Sequence, residues 1–374
     1  MNRPLLFLMA LTMATPQDPA SADDQFLYLA STKDKNIVAY KIDEASGLLT
    51  EQFSVDLPGN GGAMAFSPKS RYIYAAVTGL ANNAAGITTF RRRGNGRLKL
   101  LETATITSRP PYIQVDRTGK YLLAAHYGAG DVTMYRIKNG VCTSKLLSHI
   151  KTEKTAHCIE VDPSGRYVFV PHTGPNKVYQ FVLDTRAGKL TANTPPFVEG
   201  PDKDHRYHEP RHYAHHPKLD MAYTSNENGG GITSWAFDPK TGRLTRKKTL
   251  CTLPPKYEGG SAAADIQITP NGRFAYVSNR STKPLKKGVA PEDTLCAVAL
   301  DARTGDMTIV GHYLTGSHPR ATCIDLSGSF FFACGQRTDD LHTYRINKKT
   351  GALTPLKVYP TGGTPIWVMC AEVD

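Results

Sequence analysis

The hydrophobic positions of the chain follow a short pattern that recurs along most of its length. A turn of Pro, Asp, Ser or Gly precedes a segment in which apolar and aromatic residues alternate with smaller ones, as expected of β-strands. Six full copies are FSPKSRYIYAAV from Phe66, VDRTGKYLLAAH from Val115, VDPSGRYVFVPH from Val161, HHPKLDMAYTSN from His215, ITPNGRFAYVSN from Ile268 and IDLSGSFFFACG from Ile324. The pattern predicts a protein built almost entirely of strands.

A second signature alternates with the first and centres on a turn glycine. A glycine at such a turn supplies the positive φ that a tight hairpin requires. Successive copies are spaced by 44 to 63 residues, and the seven turn glycines are Gly47, Gly96, Gly140, Gly188, Gly242, Gly305 and Gly351. Each repeat therefore carries two turns between strands, and the hairpin count predicts seven units.

Repeats of this length, with four strands each, are typical of a β-propeller. The seventh copy of the first signature is split, because QFLYLAST from Gln25 matches its strand half and PIWVMC lies at Pro365–Cys370. We therefore expect an all-β, seven-bladed propeller over residues 23–374, closed by pairing of the N- and C-terminal strands in one blade. A ring closed in this way needs no second copy, so a monomer is the default expectation.

The first 22 residues have the features of a secretory signal peptide. Arg3 gives a positive start, an apolar stretch covers Leu5–Ala14, and Ala20-Ser21-Ala22 provides small residues for cleavage. The expected location is periplasmic or secreted, and it is cytoplasmic if this segment is not a signal. No other stretch approaches the roughly 20 apolar residues that span a bilayer, so we expect no membrane insertion.

The amino-acid composition limits the kinds of molecule that the protein is expected to bind. Lys and Arg exceed Asp and Glu by 45 to 33, which gives a net charge of +12 and favours anionic partners. The basic residues are scattered, and the longest cluster is Arg91-Arg92-Arg93, so nucleic acid is not the expected partner. The seven cysteines are odd in number and lack CxxC spacing, which indicates neither a disulfide scaffold nor a zinc site. A small anionic substrate fits this composition.

Polar residues recur just before and just after the predicted inner strands of the propeller. Propellers bind ligands at the mouth of the channel that these strands surround. Arginines there would hold an anion or a carbonyl oxygen, while Glu227 or His157 could take a proton. The plain alternative is that each residue is a solvated or hydrogen-bonded strand edge. The candidates are His157, Arg211, His212, Glu227, Asp265, Asn279, Arg280, Arg320 and Gln336.

The histidines between residues 205 and 216 also invite a comparison with metal sites. Adjacent residues of an extended strand, such as His215 and His216, point to opposite faces, and the segment contains no cysteine. We therefore expect no metal site. No GxSxG motif is present, so a serine nucleophile is not expected either.

Several of these stretches resemble the propeller-type 6-phosphogluconolactonases and their relatives, the 3-carboxymuconate lactonising enzymes. The similar stretches include AHCIEVDPSGRYVFVPH, PRHYAHHP through TSNE, AADIQITPNGRFAYVSNR, HPRATCIDLSG with ACGQ, and GGTPIWV. Three positions depart from the family pattern, which has a glycine at Glu209, a histidine at Tyr112 and an asparagine at His126.

The resemblance implies a monocyclic sugar lactone opened by water, without a metal or cofactor. It implies His157, Arg211, Glu227 and Arg280 as the catalytic set, and His212, Asp265, Asn279, Arg320 and Gln336 then become candidates for substrate binding. Export favours an unphosphorylated lactone over 6-phosphogluconolactone. Two alternatives stay open, a muconate-type cycloisomerase and a non-catalytic propeller that binds a ligand.

Overall fold

The computed structural model describes residues 24–202, 204, 207–257, 259–283 and 293–372, so the predicted signal peptide at 1–22 lies outside the described residues. Strands dominate the described chain, with one short 3₁₀ turn at Ala81–Asn83. Nowhere in these ranges does a helix have the length and hydropathy needed to cross a bilayer.

The strands fall into seven groups of four. The bounds are β1 (Gln25–Ser31), β2 (Asn36–Ile42), β3 (Leu49–Asp56), β4 (Asn60–Phe66), β5 (Tyr72–Thr78), β6 (Ala85–Arg92), β7 (Leu98–Ile106), β8 (Tyr112–Val115), β9 (Tyr121–His126), β10 (Asp131–Lys138), β11 (Val141–Lys151), β12 (Glu160–Val161), β13 (Tyr167–His172), β14 (Lys177–Asp184), β15 (Lys189–Glu199), β16 (His208–His215), β17 (Met221–Asn228), β18 (Gly231–Asp238), β19 (Arg243–Cys251), β20 (Gly260–Ile268), β21 (Phe274–Lys283), β22 (Thr294–Leu300), β23 (Met307–Leu314), β24 (Pro319–Ile324), β25 (Phe330–Gly335), β26 (Asp340–Ile346), β27 (Leu353–Pro360) and β28 (Pro365–Glu372).

The sheet order makes each group an antiparallel blade. Blade 1 has the order β28-β1-β2-β3, and blades 2 to 7 are β4–β7, β8–β11, β12–β15, β16–β19, β20–β23 and β24–β27. One pair, Asn228 opposite Ala262, also joins β17 to β20 and links blades 5 and 6. The last strand therefore pairs with the first, with Phe26 opposite Ala371 and Ala30 opposite Trp367. We call β28, β4, β8, β12, β16, β20 and β24 the inner strands, because each is the first strand of its blade and most of them contact their counterparts in the neighbouring blades. The predicted seven-bladed propeller, closed within one blade, is confirmed.

Each predicted turn glycine lies between the third and fourth strands of a blade. All seven have positive φ, from +66° at Gly188 to +80° at Gly140. Each turn also packs against an aromatic side chain of the preceding blade. A Cβ on Gly140 would lie 2.1 Å from the ring of Tyr72, and one on Gly351 would lie 2.3 Å from the ring of Phe274. Glycine is thus required both by the turn and by the contact between blades.

Buried tyrosines tie these turns to the neighbouring blade. The hydroxyl groups of Tyr28, Tyr74, Tyr223 and Tyr276 donate hydrogen bonds of 2.7 to 2.8 Å to the carbonyls of turn glycines one blade further on. A buried phenol needs such a partner. The same side chain therefore contributes apolar packing and a specific hydrogen bond at one seam.

The other recurrent turn is fixed by an acidic side chain. The carboxylate of Asp162 accepts hydrogen bonds from the backbone N–H groups of Ser164, Arg166 and Tyr167 at 2.7 to 2.9 Å. Asp116 and Asp325 do the same in their own blades. These bonds satisfy backbone donors that the turn would otherwise leave unpaired, which explains the repeated Asp and Gly of the sequence.

The core is divided among the seams between blades. Seven apolar clusters occur among the described residues, and each joins two neighbouring blades. The cluster between blades 7 and 1 contains Phe330, Phe332 and Leu29, so the ring is closed by packing as well as by strand pairing. The cysteines behave as small apolar residues, and the closest pair, Cys323 and Cys370, has its sulfur atoms 3.4 Å apart.

Substitution of a turn glycine is expected to weaken a seam. In Gly351→Ala the left-handed backbone costs about 1–2 kcal/mol, and displacement of the Phe274 ring adds about 1–3 kcal/mol. We expect a clear fall in the urea midpoint of unfolding, followed by tryptophan fluorescence. Gly128→Ala is the matched control, because no atom lies within 4 Å of its added Cβ. Equal midpoints for the two variants would contradict this account of the seam.

Candidate active site

A cavity of about 500 Å³ opens at the end of the channel where the inner strands begin. Five of the residues predicted from the sequence line it, and they come from three blades. These five are His157 before β12, Arg211 and His212 on β16, Glu227 on β17, and Arg320 on β24. Residues that are far apart in the sequence thus share one cavity because they lie at the same end of their blades.

Irregular strand pairing places these side chains. The register of β16 shifts between Pro210 and Tyr213, and that of β24 shifts between Pro319 and Ala321. Arg211, His212 and Arg320 fall within these two shifts. A β-bulge turns a side chain away from the regular alternation, and bulges are common beside active sites. The third shift, between Ala263 and Ile266 of β20, brackets Asp265.

One carboxylate lies against two arginines at the wall of the cavity. Arg280 donates from Nη2 to Oε1 of Glu227 at 2.6 Å, and Nε of Arg211 lies 3.6 Å from the same oxygen. Both guanidinium groups also donate to carbonyls of β20, which its irregular pairing leaves available. Arg280 is not part of the cavity lining, so it binds Glu227 on the side away from the cavity. The Nε of Arg211 makes no hydrogen bond in the described chain.

The second buried pair joins an imidazole to a carboxylate. His212 donates from Nδ1 to Oδ1 of Asp265 at 2.8 Å. The other oxygen of Asp265 accepts from the backbone N–H and the hydroxyl of Thr322, both at 2.8 Å. Asp265 itself lies outside the lining of this cavity. It therefore reaches the site only through His212.

His157 lies beside both imidazole and guanidinium neighbours. Its ring is 5.2 Å from that of His212 and 5.6 Å from that of Tyr127. Its Nε2 is 3.5 Å from Nη2 of Arg320, and its buried Nδ1 has no hydrogen-bond partner among the described residues. The imidazole is thus held by ring packing and faces a positive charge.

Burial and the arginines set the protonation states. Burial and the charge of Arg211 lower the pKa of His157 well below its usual value and that of His212 to about 4. Burial alone would raise the pKa of Glu227, but the attraction of Arg211 and Arg280 outweighs it and the pKa is lowered. At neutral pH the cavity therefore holds uncharged imidazoles and an ionised Glu227.

Two predicted residues lie elsewhere. Both ends of the Asn279 amide bond to Thr252, at 2.8 Å each, so this side chain links strands rather than facing the cavity. Gln336 follows β25 and is also absent from the lining. The predicted substrate contacts of these two residues are therefore not supported by their positions in this cavity.

Among the lining residues that the sequence analysis did not predict are Arg109, Tyr127 and Trp367. Tyr127 directly follows β9, at the repeat position that Glu227 occupies near the end of β17, so its repeat position was a usable signal. Arg109 precedes β8 in a Pro-rich stretch and is exposed at the cavity. Trp367 lies on the closing strand β28. Because this strand belongs to the split repeat, the sequence pattern did not show that Trp367 lies at the cavity.

The positions that depart from the family pattern have structural partners. Tyr112 donates its hydroxyl to Glu160 at 2.6 Å and packs edge-on against His212. His126 is buried between the hydroxyl groups of Ser108 and Thr133. Glu209 has positive φ, and its backbone N–H donates to the side chain of Asn176.

The histidines of the segment near β16 have separate surroundings. His215 packs against Phe169, whereas Nδ1 of His216 accepts from the backbone N–H groups of Lys218 and Leu219 in a turn. His205 lies outside the described residues. Among those described, no three His, Cys, Asp or Glu side chains are grouped as metal ligands.

Comparison with known proteins gives a consistent result. Residues 26–370 match the family model described as Lactonase, 7-bladed beta-propeller. A 6-phosphogluconolactonase of Yersinia pseudotuberculosis serotype O:3 (strain YPIII) is 32% identical over 344 residues, covering 92% of this chain and 97% of the relative. A 6-phosphogluconolactonase of Serratia proteamaculans (strain 568) is 31% identical, covering 92% and 98%.

Solved structures share the fold. The Pseudomonas aeruginosa periplasmic gluconolactonase PpgL has a TM-score of 0.79 and 22% identity, covering 94% of this chain and 99% of its own. A protein from Lactobacillus plantarum has a TM-score of 0.80 and 23% identity, covering 94% and 100%. Identities this low show the shared architecture and leave the substrate to other arguments.

The ion pairs of Glu227 lead to a pH-dependent prediction. Because its pKa is lowered in the folded protein, the carboxylate stabilises the fold above the ordinary carboxyl pKa, and this contribution is lost as the pH falls through the lowered value. We expect Glu227→Gln to reduce the free energy of unfolding by about 1–3 kcal/mol at pH 7. The difference in the free energy of unfolding between this variant and the unsubstituted protein should become smaller below about pH 4.

The measurement is thermal unfolding of both proteins at pH 7, 5, 4 and 3. Glu153→Gln is the control, since its pair with Lys177 lies at the surface and such pairs contribute at most about 1 kcal/mol. A gap between Glu227→Gln and the unsubstituted protein that stays constant across this range would contradict the assignment of its stability to the charge.

Proposed function

The chain belongs to the lactonase family of seven-bladed β-propellers, and we propose that it is a sugar lactone hydrolase acting on 6-phosphogluconolactone or an unphosphorylated analogue. Relatives named 6-phosphogluconolactonase match nearly the whole chain at about one third identity, so the likeness covers every blade. The two 6-phosphogluconolactonases and the gluconolactonase reported above are named for lactone hydrolysis, which disfavours the cycloisomerase and the non-catalytic alternatives.

The observation that carries the proposal is one cavity holding guanidinium groups beside uncharged imidazoles. Hydrolysis of a lactone places negative charge on the carbonyl oxygen when water attacks the carbonyl carbon. Arg211 and Arg320 line the cavity and suit the stabilisation of that oxygen, because fixed positive groups are most effective where water is scarce. An uncharged imidazole suits acceptance of the proton that the water must lose.

Arg211 is prepared for this role by its own hydrogen bonds. Its Nη1 donates to the carbonyl of Ala264 at 2.8 Å, and its side chain is almost fully buried. Glu227 and the backbone thus fix the guanidinium before a substrate arrives, which reduces the reorganisation that binding would require. In this proposal Glu227 positions Arg211 and favours its charged form, and Arg280 holds Glu227 in place.

The charge balance favours a substrate that bears an acidic group. The guanidinium groups of the region outnumber its two carboxylates by two, counting Arg109, Arg211, Arg280 and Arg320 against Glu227 and Asp265. Arg109 is exposed on the cavity wall, and its charge acts on Arg320 through space. We assign the acidic group, a phosphate or a carboxylate, to the space between these two arginines.

We also propose that the protein is exported, on the strength of the N-terminal signature at residues 1–22. Expression of the full chain in a bacterial host, followed by fractionation and mass measurement, tests this directly. A periplasmic product beginning at Asp23 is the expected result. A cytoplasmic product that retains Met1–Ala22 would remove the export proposal and leave the hydrolase proposal standing.

The function is tested with purified protein on 6-phosphogluconolactone and on unphosphorylated gluconolactone, with rates corrected for spontaneous opening. We expect catalysis above the buffer rate and a loss of about 10²–10³-fold in kcat for Arg211→Gln, which removes a group proposed to stabilise the oxyanion. Arg109→Gln should raise KM for the phosphorylated substrate selectively, because it removes a charge at the cavity wall.

Arg337→Gln provides a control with the same change of charge on a residue outside the cavity lining. Equal effects of Arg109→Gln and Arg337→Gln on the phosphorylated substrate would remove the role given to Arg109. Protein no faster than buffer on both lactones would overturn the proposed hydrolase.

A further inference from the structure

We propose that His212, oriented by Asp265, is the general base that activates the attacking water. This inference rests on the proposed lactone hydrolysis and adds a residue role to it. It differs from the roles that the family resemblance implies, in which Glu227 or His157 takes the proton. The geometry of the three candidates separates them.

Asp265 is held as an acceptor on every side. Its Oδ2 accepts from the backbone and hydroxyl of Thr322, and from Nε2 of Gln267 at 3.2 Å. Its Oδ1 accepts from the backbone N–H of Ile266 at 2.9 Å and from His212. These donors keep the carboxylate ionised and fixed although it is buried.

The Asp265 contact decides which nitrogen of His212 carries the proton. Because an ionised carboxylate can only accept, Nδ1 is the protonated nitrogen and Nε2 keeps its lone pair. Nε2 has no hydrogen-bond partner in the described chain, and it is not fully buried. Since His212 lines the cavity, this lone pair is available to a water molecule there.

The two other candidates are already engaged. Glu227 accepts a 2.6 Å hydrogen bond from Arg280, and Arg211 lies near the same oxygen, so its Oε1 is already directed at two guanidinium groups. The Nε2 of His157 faces the guanidinium of Arg320, so its lone pair is directed at a donor rather than at the open cavity. His157 also lacks a carboxylate that could stabilise its charged form, whereas His212 has one.

The proton balance of the reaction follows from this arrangement. Water gives one proton to Nε2 of His212 as its oxygen bonds to the carbonyl carbon, and Asp265 stabilises the resulting imidazolium. When the tetrahedral intermediate collapses, the bond to the ring oxygen breaks and that oxygen takes the proton from Nε2. The product is the open hydroxy acid, and His212 returns to its starting state.

The groups that surround His212 set the expected pH dependence. Burial and the charge of Arg211 lower its pKa to about 4, while Asp265 acts to raise it. The uncharged base is therefore present at neutral pH, and kcat/KM should fall as the pH drops through that value. The titratable and charged groups around the ring are Arg211, Tyr112, His157, Asp265 and Arg320.

The kinetic test compares His212→Gln, His157→Gln and Glu227→Gln on the better lactone substrate. We expect His212→Gln to lower kcat by about 10²–10⁴-fold with KM changed by less than about threefold. The other two variants should keep more activity than His212→Gln. Asp265→Asn should lower kcat and move the acid limb of the pH profile to lower pH, since it removes the group that raises the His212 pKa.

A second measurement does not depend on activity. Nitrogen-15 NMR of the imidazoles at pH 7 should show His212 protonated on Nδ1, with its signals assigned from their loss in His212→Gln. In Asp265→Asn the amide can donate to Nδ1, so the proton should move to Nε2. Finding Nε2 protonated in the unsubstituted protein would overturn the proposal.

His149→Gln is the matched control, because His149 also lies 2.8 Å from a carboxylate, that of Asp131, but outside the cavity lining. It should leave kcat unchanged. An active protein whose His212→Gln variant keeps full activity would remove the role of His212 and leave the hydrolase in place. An unsubstituted protein inactive on every lactone would remove both.

Discussion

The fold depends on one contact repeated around the ring: an aromatic side chain from the second strand of a blade packs on the outer hairpin turn of the next. Phe274 packs on Gly351. Phe330 of blade 7 packs on Gly47 of blade 1, so the same contact also closes the ring. A blade has two faces and no core of its own, so this seam supplies most of its burial. The inner strands, and with them the cavity, are positioned by the closed set of seams.

Most of this architecture can be predicted from the sequence because its causes are local. The turn glycines need positive φ and recur in every repeat, and Asp116, Asp162 and Asp325 bind their own turns and recur in three of them. The split repeat likewise predicted pairing of β1 with β28, which the register confirms. Where His216 replaces the aspartate of the turn, the repeat weakens in sequence while the turn persists.

The site was predicted less completely, because irregularities in the strand pairing determine where its side chains point. Arg211, His212 and Asp265 lie where strand register shifts, and alternation cannot show where a bulge turns a residue. Asn279 has a favourable repeat position, yet its amide is used by Thr252. Sequence spacing can place a residue near the mouth, whereas hydrogen bonds between blades decide which groups are free to meet a substrate.

The pairing of β1 with β28 also governs the order in which the molecule can be completed. Blade 1 needs the segment Pro365–Glu372, so it cannot form until that segment has been synthesised. Blades 2 to 7 are each continuous and can assemble earlier from local contacts. The final step joins segments more than three hundred residues apart, a non-local closure of the kind that slows folding. Until then the chain is an open arc with apolar faces at both ends.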